Sequence, residues 1–169
     1  MSNAETNYLQ RAVELAAENV EKGGFPFGAV LVSDSGWVTE AVNEFVTDHD
    51  PTAHAEIQAL RHAAREHGDL AKFNDLTMYA NGKPCPMCMA AMVNVGVKKI
   101  VFAAGDDIGT PYGWDTSASY NNMRNAFGEQ GVVVEYERVE QAKDVYQRWF
   151  ELNPTEAQAD AAETTTSAS

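Results

Sequence analysis

Apolar positions in the first part of the chain follow two different periods. In residues 6–22 they recur at three- and four-residue intervals, at Leu9, Ala12, Val13, Ala16, Ala17 and Val20. This spacing is typical of an amphipathic helix with one buried stripe. After two glycines, short runs rich in β-formers at 27–32 and 37–43 flank an Asp-Ser-Gly turn. The pattern predicts a helix followed by an antiparallel β-hairpin.

The rest of the chain alternates between helical and extended patterns. A loop at 47–51 precedes a helix that starts at residue 52 or 54 and ends at Gly68. We then expect a strand at 76–80, a helix at 86–96, a strand at 99–103, a loop at 106–116, a helix at 117–127, a strand at 132–137 and a helix at 139–152. The strand-helix-strand order predicts a right-handed parallel crossover. The predicted fold is α/β, a three-layer α/β/α sandwich around a mixed five-stranded sheet.

Length and composition favour a single domain. The chain has 169 residues, of which 44% are hydrophobic, enough for one well-buried core. We place the domain at residues 6–152. Residues 1–5 are expected to be a disordered N-terminus or a cloning remnant, and residues 153–169 a disordered tail. Because no long apolar stretch or signal-peptide pattern occurs, we expect a cytoplasmic protein without membrane contact.

The charge balance disfavours nucleic acid as a partner. Twelve Lys and Arg stand against 25 Asp and Glu, a formal net charge of −13. Non-specific nucleic-acid binding draws its affinity from cationic side chains that neutralise phosphates. The cations are scattered, and only Lys98 and Lys99 are adjacent. A small, uncharged or weakly charged ligand is therefore expected.

Three good zinc ligands and one further carboxylate form the most informative pattern. His54 and Glu56 stand at the start of the second long predicted helix, and Cys85 and Cys88, the only cysteines, at the start of the third. Helix N-termini stabilise thiolates, and two helices that begin at one sheet edge can bring the donors together. Catalytic zinc takes three protein ligands and keeps a position for water, whereas structural zinc takes four.

Glu56 is placed to move protons rather than to bind the metal. It follows His54 by two residues, about 200° around an ideal helix, so the two side chains do not share a face. With His54 at the helix boundary, the carboxylate can reach the water and pass its proton to a leaving group. Two alternatives stay open for the cysteine pair, half of a structural zinc site and a redox dithiol. A zinc-stabilised binding module without activity is a third.

The order His-x-Glu, then Pro-Cys-x-x-Cys, resembles the signature of the cytidine deaminase superfamily of zinc enzymes. The likeness covers about residues 6–152. Residues 50–57 (DPTAHAEI), 84–88 (PCPMC) and 24–30 (GFPFGAV) look most like the branch of bacterial guanine deaminases and tRNA adenosine deaminases. Residues 113–115 (GWD) are similar to a Gly-Phe-Asp segment of the guanine deaminases.

The resemblance implies a cytidine deaminase-like fold with Zn²⁺ held by His54, Cys85 and Cys88. It implies that Glu56 is the catalytic proton carrier. The residues that it implies for holding the base are Phe27, which would stack on it, Asn43, Ala55, Asp115 and Glu140. The implied reaction is hydrolytic deamination of a free purine base, with guanine as the favoured substrate and xanthine and ammonia as the products. The implied assembly is a homodimer. Deamination of cytosine, guanosine, an aminotriazine or tRNA adenosine is the alternative.

Some of these residues also have purely structural interpretations, and the chain departs from the family pattern in places. Phe27 could belong to the core, Asn43 could serve a turn and Glu140 could be an ordinary first-turn helix carboxylate. Lys83 stands where the family usually has Glu or Ser, and Asn94 where a guanine deaminase has a pocket-forming Trp. The tail also lacks the final aromatic residue that closes a neighbouring active site in some guanine deaminases. These differences bear on the substrate rather than on the metal.

Overall fold

The computed structural model describes residues 3–73 and 75–124, which form a chain of alternating helices and strands. The helices are α1 (Asn3–Glu21), α2 (Phe45–Asp48), α3 (Ala55–His67), α4 (Pro86–Asn94), α5 (Asp106–Gly109) and α6 (Ser117–Asn122). The strands are β1 (Gly28–Val32), β2 (Val38–Val42), β3 (Leu76–Gly82) and β4 (Val97–Ala104). Two 3-10 turns lie at Leu70–Lys72 and Thr110–Tyr112.

The four strands of the described residues form one mixed sheet in the order β2-β1-β3-β4. β1 pairs antiparallel with both β2 and β3. β3 and β4 pair in parallel, and α4 connects them. The turn between β1 and β2 contains Gly36, whose φ of 91° lies in the left-handed region that favours glycine. The predicted hairpin and parallel crossover are therefore confirmed.

Helices cover both faces of this sheet, because successive side chains of a strand point to opposite sides. Val30 of β1 packs in one buried cluster with Leu15 of α1. Its neighbour Leu31 lies in a second cluster with Ala59 of α3 and Met92 of α4. The three-layer α/β/α arrangement is thus present. Truncating a fully buried residue such as Leu31 to alanine should lower the free energy of unfolding by about 2–5 kcal/mol.

The structure differs from the predicted boundaries where short helical turns occur. The first helix begins at Asn3 instead of residue 6. The segments predicted as loops, 47–51 and 106–116, overlap α2 and contain α5 with its following 3-10 turn. Turns of three or four residues are too short to show an apolar period. α6 ends at Asn122, before the predicted residue 127.

The described part of the sheet has four strands, and the fifth predicted strand, 132–137, lies outside the described residues. The helix predicted at 139–152 and the tail at 153–169 also lie outside them. Within the described ranges, no helix combines the length and apolar character needed to cross a membrane.

Candidate active site and metal centre

Two helix N-termini bring His54, Cys85 and Cys88 together. His54 is the N-cap of α3 and Cys85 is the N-cap of α4, and both have extended backbone. Pro86 takes the first position of α4, where its missing N–H costs no hydrogen bond. Cys88 follows within the first turn of α4 and is fully buried. The ligand atoms of the three side chains lie within 4.8 Å of one another.

The distances among these donors fit a tetrahedral zinc ion. His54 Nδ1 lies 3.6 Å from the Sγ atoms of both Cys85 and Cys88, and the two Sγ atoms are 3.6 Å apart. Zinc bonds of about 2.3 Å to sulfur and 2.0 Å to nitrogen, at tetrahedral angles, separate the donors by about 3.5–3.8 Å. In the part of the chain that the structure describes, no fourth His, Cys, Asp or Glu joins the group. The residues therefore fit a zinc ion with three protein ligands.

The electrostatics of the cysteine pair prepares it for a cation. The hydrogen bond between the sulfurs of Cys85 and Cys88, with a further contribution from His54, lowers the pKa of Cys85 to about 4. The same contact between the two sulfurs, together with burial, raises the pKa of Cys88. The contact between the two sulfurs thus favours a pair that shares one proton. A metal cation would replace that shared proton.

Glu56 lies in the first turn of α3 beside this cluster and lines the same pocket. Glu56 is only 7% exposed. Burial raises the pKa of its carboxyl group above the ordinary value. A carboxyl group whose pKa moves toward neutral can both take and return a proton during one reaction. Glu56 is not among the three mutually close donors.

A pocket with a volume of about 590 Å³ opens over His54, Glu56 and Cys85. One part of its lining is aromatic and consists of Phe25, Phe27, Phe45 and Trp114. The rings of Phe27 and Trp114 meet edge to face, with centroids 4.9 Å apart and an interplanar angle of 87°. Phe25 lies 5.3 Å from the ring centroids of both Phe45 and Trp114. Such a wall is suited to a flat heterocyclic ligand.

Two buried or half-buried amides hold the segment that carries Phe27. The Asn81 side chain accepts from the Gly28 N–H and donates to the Pro26 carbonyl, both at 2.9 Å. The Asn19 side chain donates to the carbonyls of Phe25 and Asn43, both at 2.8 Å. These bonds hold both ends of the segment, so the backbone that carries Phe27 is tied to α1 through Asn19 and to β3 through Asn81.

The structure brings most of the predicted substrate contacts into this pocket. Phe27, Asn43 and Asp115 line it together with Glu56. Ala55 is not among the lining residues. The residue as a whole is 1% exposed and packs in the core. Glu140 lies outside the described residues.

Several pocket residues were missed by the sequence analysis. Phe25 and Trp114 lie inside the segments 24–30 and 113–115, where an aromatic residue beside glycine was the available signal. Asn81 and Asp106 gave no local signal, because their roles depend on which strand ends are neighbours in the sheet.

Comparisons with known proteins agree with this geometry. Residues 2–104 match the family model of the cytidine and deoxycytidylate deaminase zinc-binding region. The chain is 35% identical over 148 residues to the guanine deaminase of Bacillus subtilis (strain 168), which covers 87% of this chain and 94% of the relative. It is 38% identical over 106 residues to the tRNA-specific adenosine deaminase of Haemophilus influenzae. That alignment covers 62% of this chain and 61% of the relative.

The fold comparison gives the same relationship. The crystal structure of a guanine deaminase from Bacillus subtilis superposes with a TM-score of 0.79 at 32% sequence identity. The match covers 92% of this chain and 98% of that chain. Similarity in sequence and in structure thus extends over most of both proteins.

Proposed function

The chain belongs to the zinc-binding cytidine and deoxycytidylate deaminase family, and we propose that it hydrolyses guanine to xanthine and ammonia. One observation carries the proposal. A three-donor zinc site and a buried carboxylate share an aromatic pocket, in a chain that is similar to a guanine deaminase over 87% of its length.

The chemistry divides between the metal and Glu56. His54, Cys85 and Cys88 would hold a zinc ion, which would make a water molecule acidic enough to supply hydroxide near neutral pH. Glu56 accepts the proton of that water and delivers it to the ring nitrogen next to the amino-bearing carbon. It later helps to protonate the departing amino group, which leaves as ammonia. The overall change consumes guanine and one water and gives xanthine and ammonia.

The pocket residues orient the base for this attack. Phe27 stacks on the ring of the base, and its own ring packs edge to face with that of Trp114, with the two centroids 4.9 Å apart. Asp115 meets the polar edge of the base, where guanine offers N–H donors to a carboxylate. Asn43, 3% exposed and on the pocket lining, supplies a further amide hydrogen bond. Ala55 contributes through its backbone.

The remaining parts of the proposal concern the protein as a whole. We also propose that Glu140, which lies outside the described residues, contributes a second carboxylate to the polar edge of the base. The enzyme works in the cytoplasm as a homodimer. Light scattering coupled to size-exclusion chromatography tests the dimer, because a mass of about one chain, 18.4 kDa, would contradict it.

A panel of amino-substituted substrates tests the proposed reaction. Zinc-loaded protein is incubated with guanine, guanosine, cytosine, an aminotriazine and tRNA, and ammonia release is measured for each. We expect the highest kcat/KM with guanine, with xanthine as the product. A higher kcat/KM with another small base would reassign the substrate, and efficient deamination of tRNA would favour the tRNA-specific branch despite the net charge of −13.

A further inference from the structure

An ion pair at the rim of the pocket joins the ends of two neighbouring strands. Lys83 directly follows β3, and one residue, Gly105, separates Asp106 from the end of β4. The ammonium group of Lys83 binds the carboxylate of Asp106, and both residues line the pocket. The Lys83 N–H also donates to the Ala104 carbonyl at 2.8 Å. Side chain and backbone therefore link the same two strand ends.

Asp106 also closes the segment that carries one wall of the pocket. Its Oδ1 accepts from the Thr116 N–H at 3.1 Å and from the Thr116 hydroxyl at 2.8 Å. Its Oδ2 is 3.3 Å from the Ser117 hydroxyl, which donates to it. A single carboxylate thus ties together both ends of residues 106–116. Trp114 and Asp115, which lie in this segment, line the pocket.

A second connection runs from Lys83 to the metal-binding segment. The ammonium group lies over the ring of Tyr120 in α6, 5.0 Å from its centroid. The Tyr120 hydroxyl donates to the Pro84 carbonyl at 2.7 Å. Pro84 is the residue immediately before Cys85. Lys83 therefore contacts the two side chains, Asp106 and Tyr120, that fasten the far side of the pocket to the metal side.

We infer that Lys83 is a positioning residue, which acts through Asp106 to hold Trp114 and Asp115 at the correct distance from the metal centre. The inference rests on the proposed function and concerns the affinity of that same site for its base. An isolated exposed ion pair contributes little, but this carboxylate has three further hydrogen bonds and is only 23% exposed. A wall ordered in advance spares the ligand the entropic cost of ordering it.

The expected consequence is an effect on KM rather than on kcat. Lys83 contacts neither the three metal donors nor Glu56 in any bond described above, so proton transfer stays intact when its charge is removed. Lys83→Met keeps an unbranched stem of the same length, with sulfur in place of one methylene, and removes the ammonium group. We expect the KM for guanine to rise about tenfold with kcat within about threefold of wild type.

Steady-state kinetics on zinc-matched preparations tests this. Lys83→Arg keeps the charge and should restore most of the affinity, while Asp106→Asn should resemble Lys83→Met. The double variant Lys83→Met/Asp106→Asn should raise KM little further than either single variant, because both substitutions break the same interaction. Lys72→Met, an exposed lysine away from the pocket, is the matched control. An unchanged KM in Lys83→Met, or a fall in kcat alone, would overturn the inference.

Hydrogen exchange separates this inference from the proposed function. Amides of residues 106–116 should exchange faster in Lys83→Met than in wild type, with those of α3 unchanged. This comparison needs no substrate. If the wild type did not deaminate guanine, the proposed reaction would be refuted. The hydrogen-exchange comparison would still test the role of Lys83. Wild-type exchange in both Lys83→Met and Asp106→Asn would refute that role even in an active deaminase.

Discussion

The ring of Phe27 lies directly against the backbone of Gly82. A β-carbon on Gly82 would come within 3.1 Å of Cε1 of that ring, closer than ordinary packing allows. The same ring also meets the ring of Trp114 edge to face, with the two centroids 4.9 Å apart. The end of β3 and the 106–116 segment together therefore define where the proposed stacking ring stands.

Adding a methyl group at position 82 should displace that ring into the pocket. We expect Gly82→Ala to raise the KM for guanine by about three- to tenfold with normal zinc content, because a shift of a few tenths of an ångström costs on the order of 1 kcal/mol of binding. Steady-state kinetics and elemental analysis measure both quantities. In a Phe27→Leu background, Gly82→Ala should raise the KM for guanine by a smaller factor, because the displaced ring is absent. An equal rise in KM in both backgrounds would argue against the contact between Gly82 and Phe27.

Removing one metal ligand should remove the metal. In His54→Ala the two sulfurs lose the third donor, so we expect loss of bound zinc and a lower melting temperature, because metal binding stabilises the folded state. His62→Ala, which changes a histidine of the same helix outside the cluster, should keep both. Elemental analysis and thermal unfolding give the result. A full zinc complement in His54→Ala would exclude His54 as a ligand.

The carboxylate of Asp115 should select the base. It lines the pocket, and its Oδ1 already accepts from the Ser117 N–H at 2.7 Å, which fixes its orientation. Asp115→Asn keeps the shape and replaces one acceptor by a donor, so kcat/KM for guanine should fall by about 10²-fold or more. Asp107→Asn, on the same segment but not on the pocket lining, serves as the control. Similar losses in both variants would mean that the segment, not the carboxylate, is responsible.

The ion pair at the pocket rim should also leave a trace in acid stability. The hydrogen bond from Lys83, followed by those from Thr116, lowers the pKa of Asp106 from 3.8 to about 2. A lowered carboxyl pKa stabilises the folded state above the ordinary pKa, and this stability is lost as the pH falls through the folded value. The urea midpoint of wild type should therefore exceed that of Asp106→Asn at pH 6, and the two should converge near pH 2. A chelator in all samples removes any contribution from metal release. A difference between the two urea midpoints that persisted at low pH would contradict a stabilising role for the ionised Asp106 carboxylate.

The metal side of the site was accessible from sequence because its geometry is local. His54 and Cys85 are both helix N-caps, and Cys88 lies one turn further in, so the spacing of the residues and the helix starts nearly define the cluster. The α/β alternation was equally clear from apolar periods. Ala55, next to His54, faces the core instead, which a one-residue step along a helix readily produces.

The substrate side was less accessible because it depends on contacts between distant segments. Phe27 meets Trp114, and Lys83 meets Asp106, only because β1, β3 and β4 are neighbours in one particular sheet order. The segment that carries Trp114 also consists of turns too short to show a period. A departure from the family pattern at position 83 could be read from the sequence, but its partner could not.

The central claim is that Glu56 moves the protons of a zinc-dependent deamination. Zinc content and ammonia release from guanine, measured on the same preparations of wild type and Glu56→Gln, test it most directly. We expect one zinc ion per chain in both proteins, turnover in the wild type, and a rate lower by at least about 10²- to 10⁴-fold in the variant. Ammonia release by Glu56→Gln at the wild-type rate would contradict the claim, as would full activity in a wild type free of zinc.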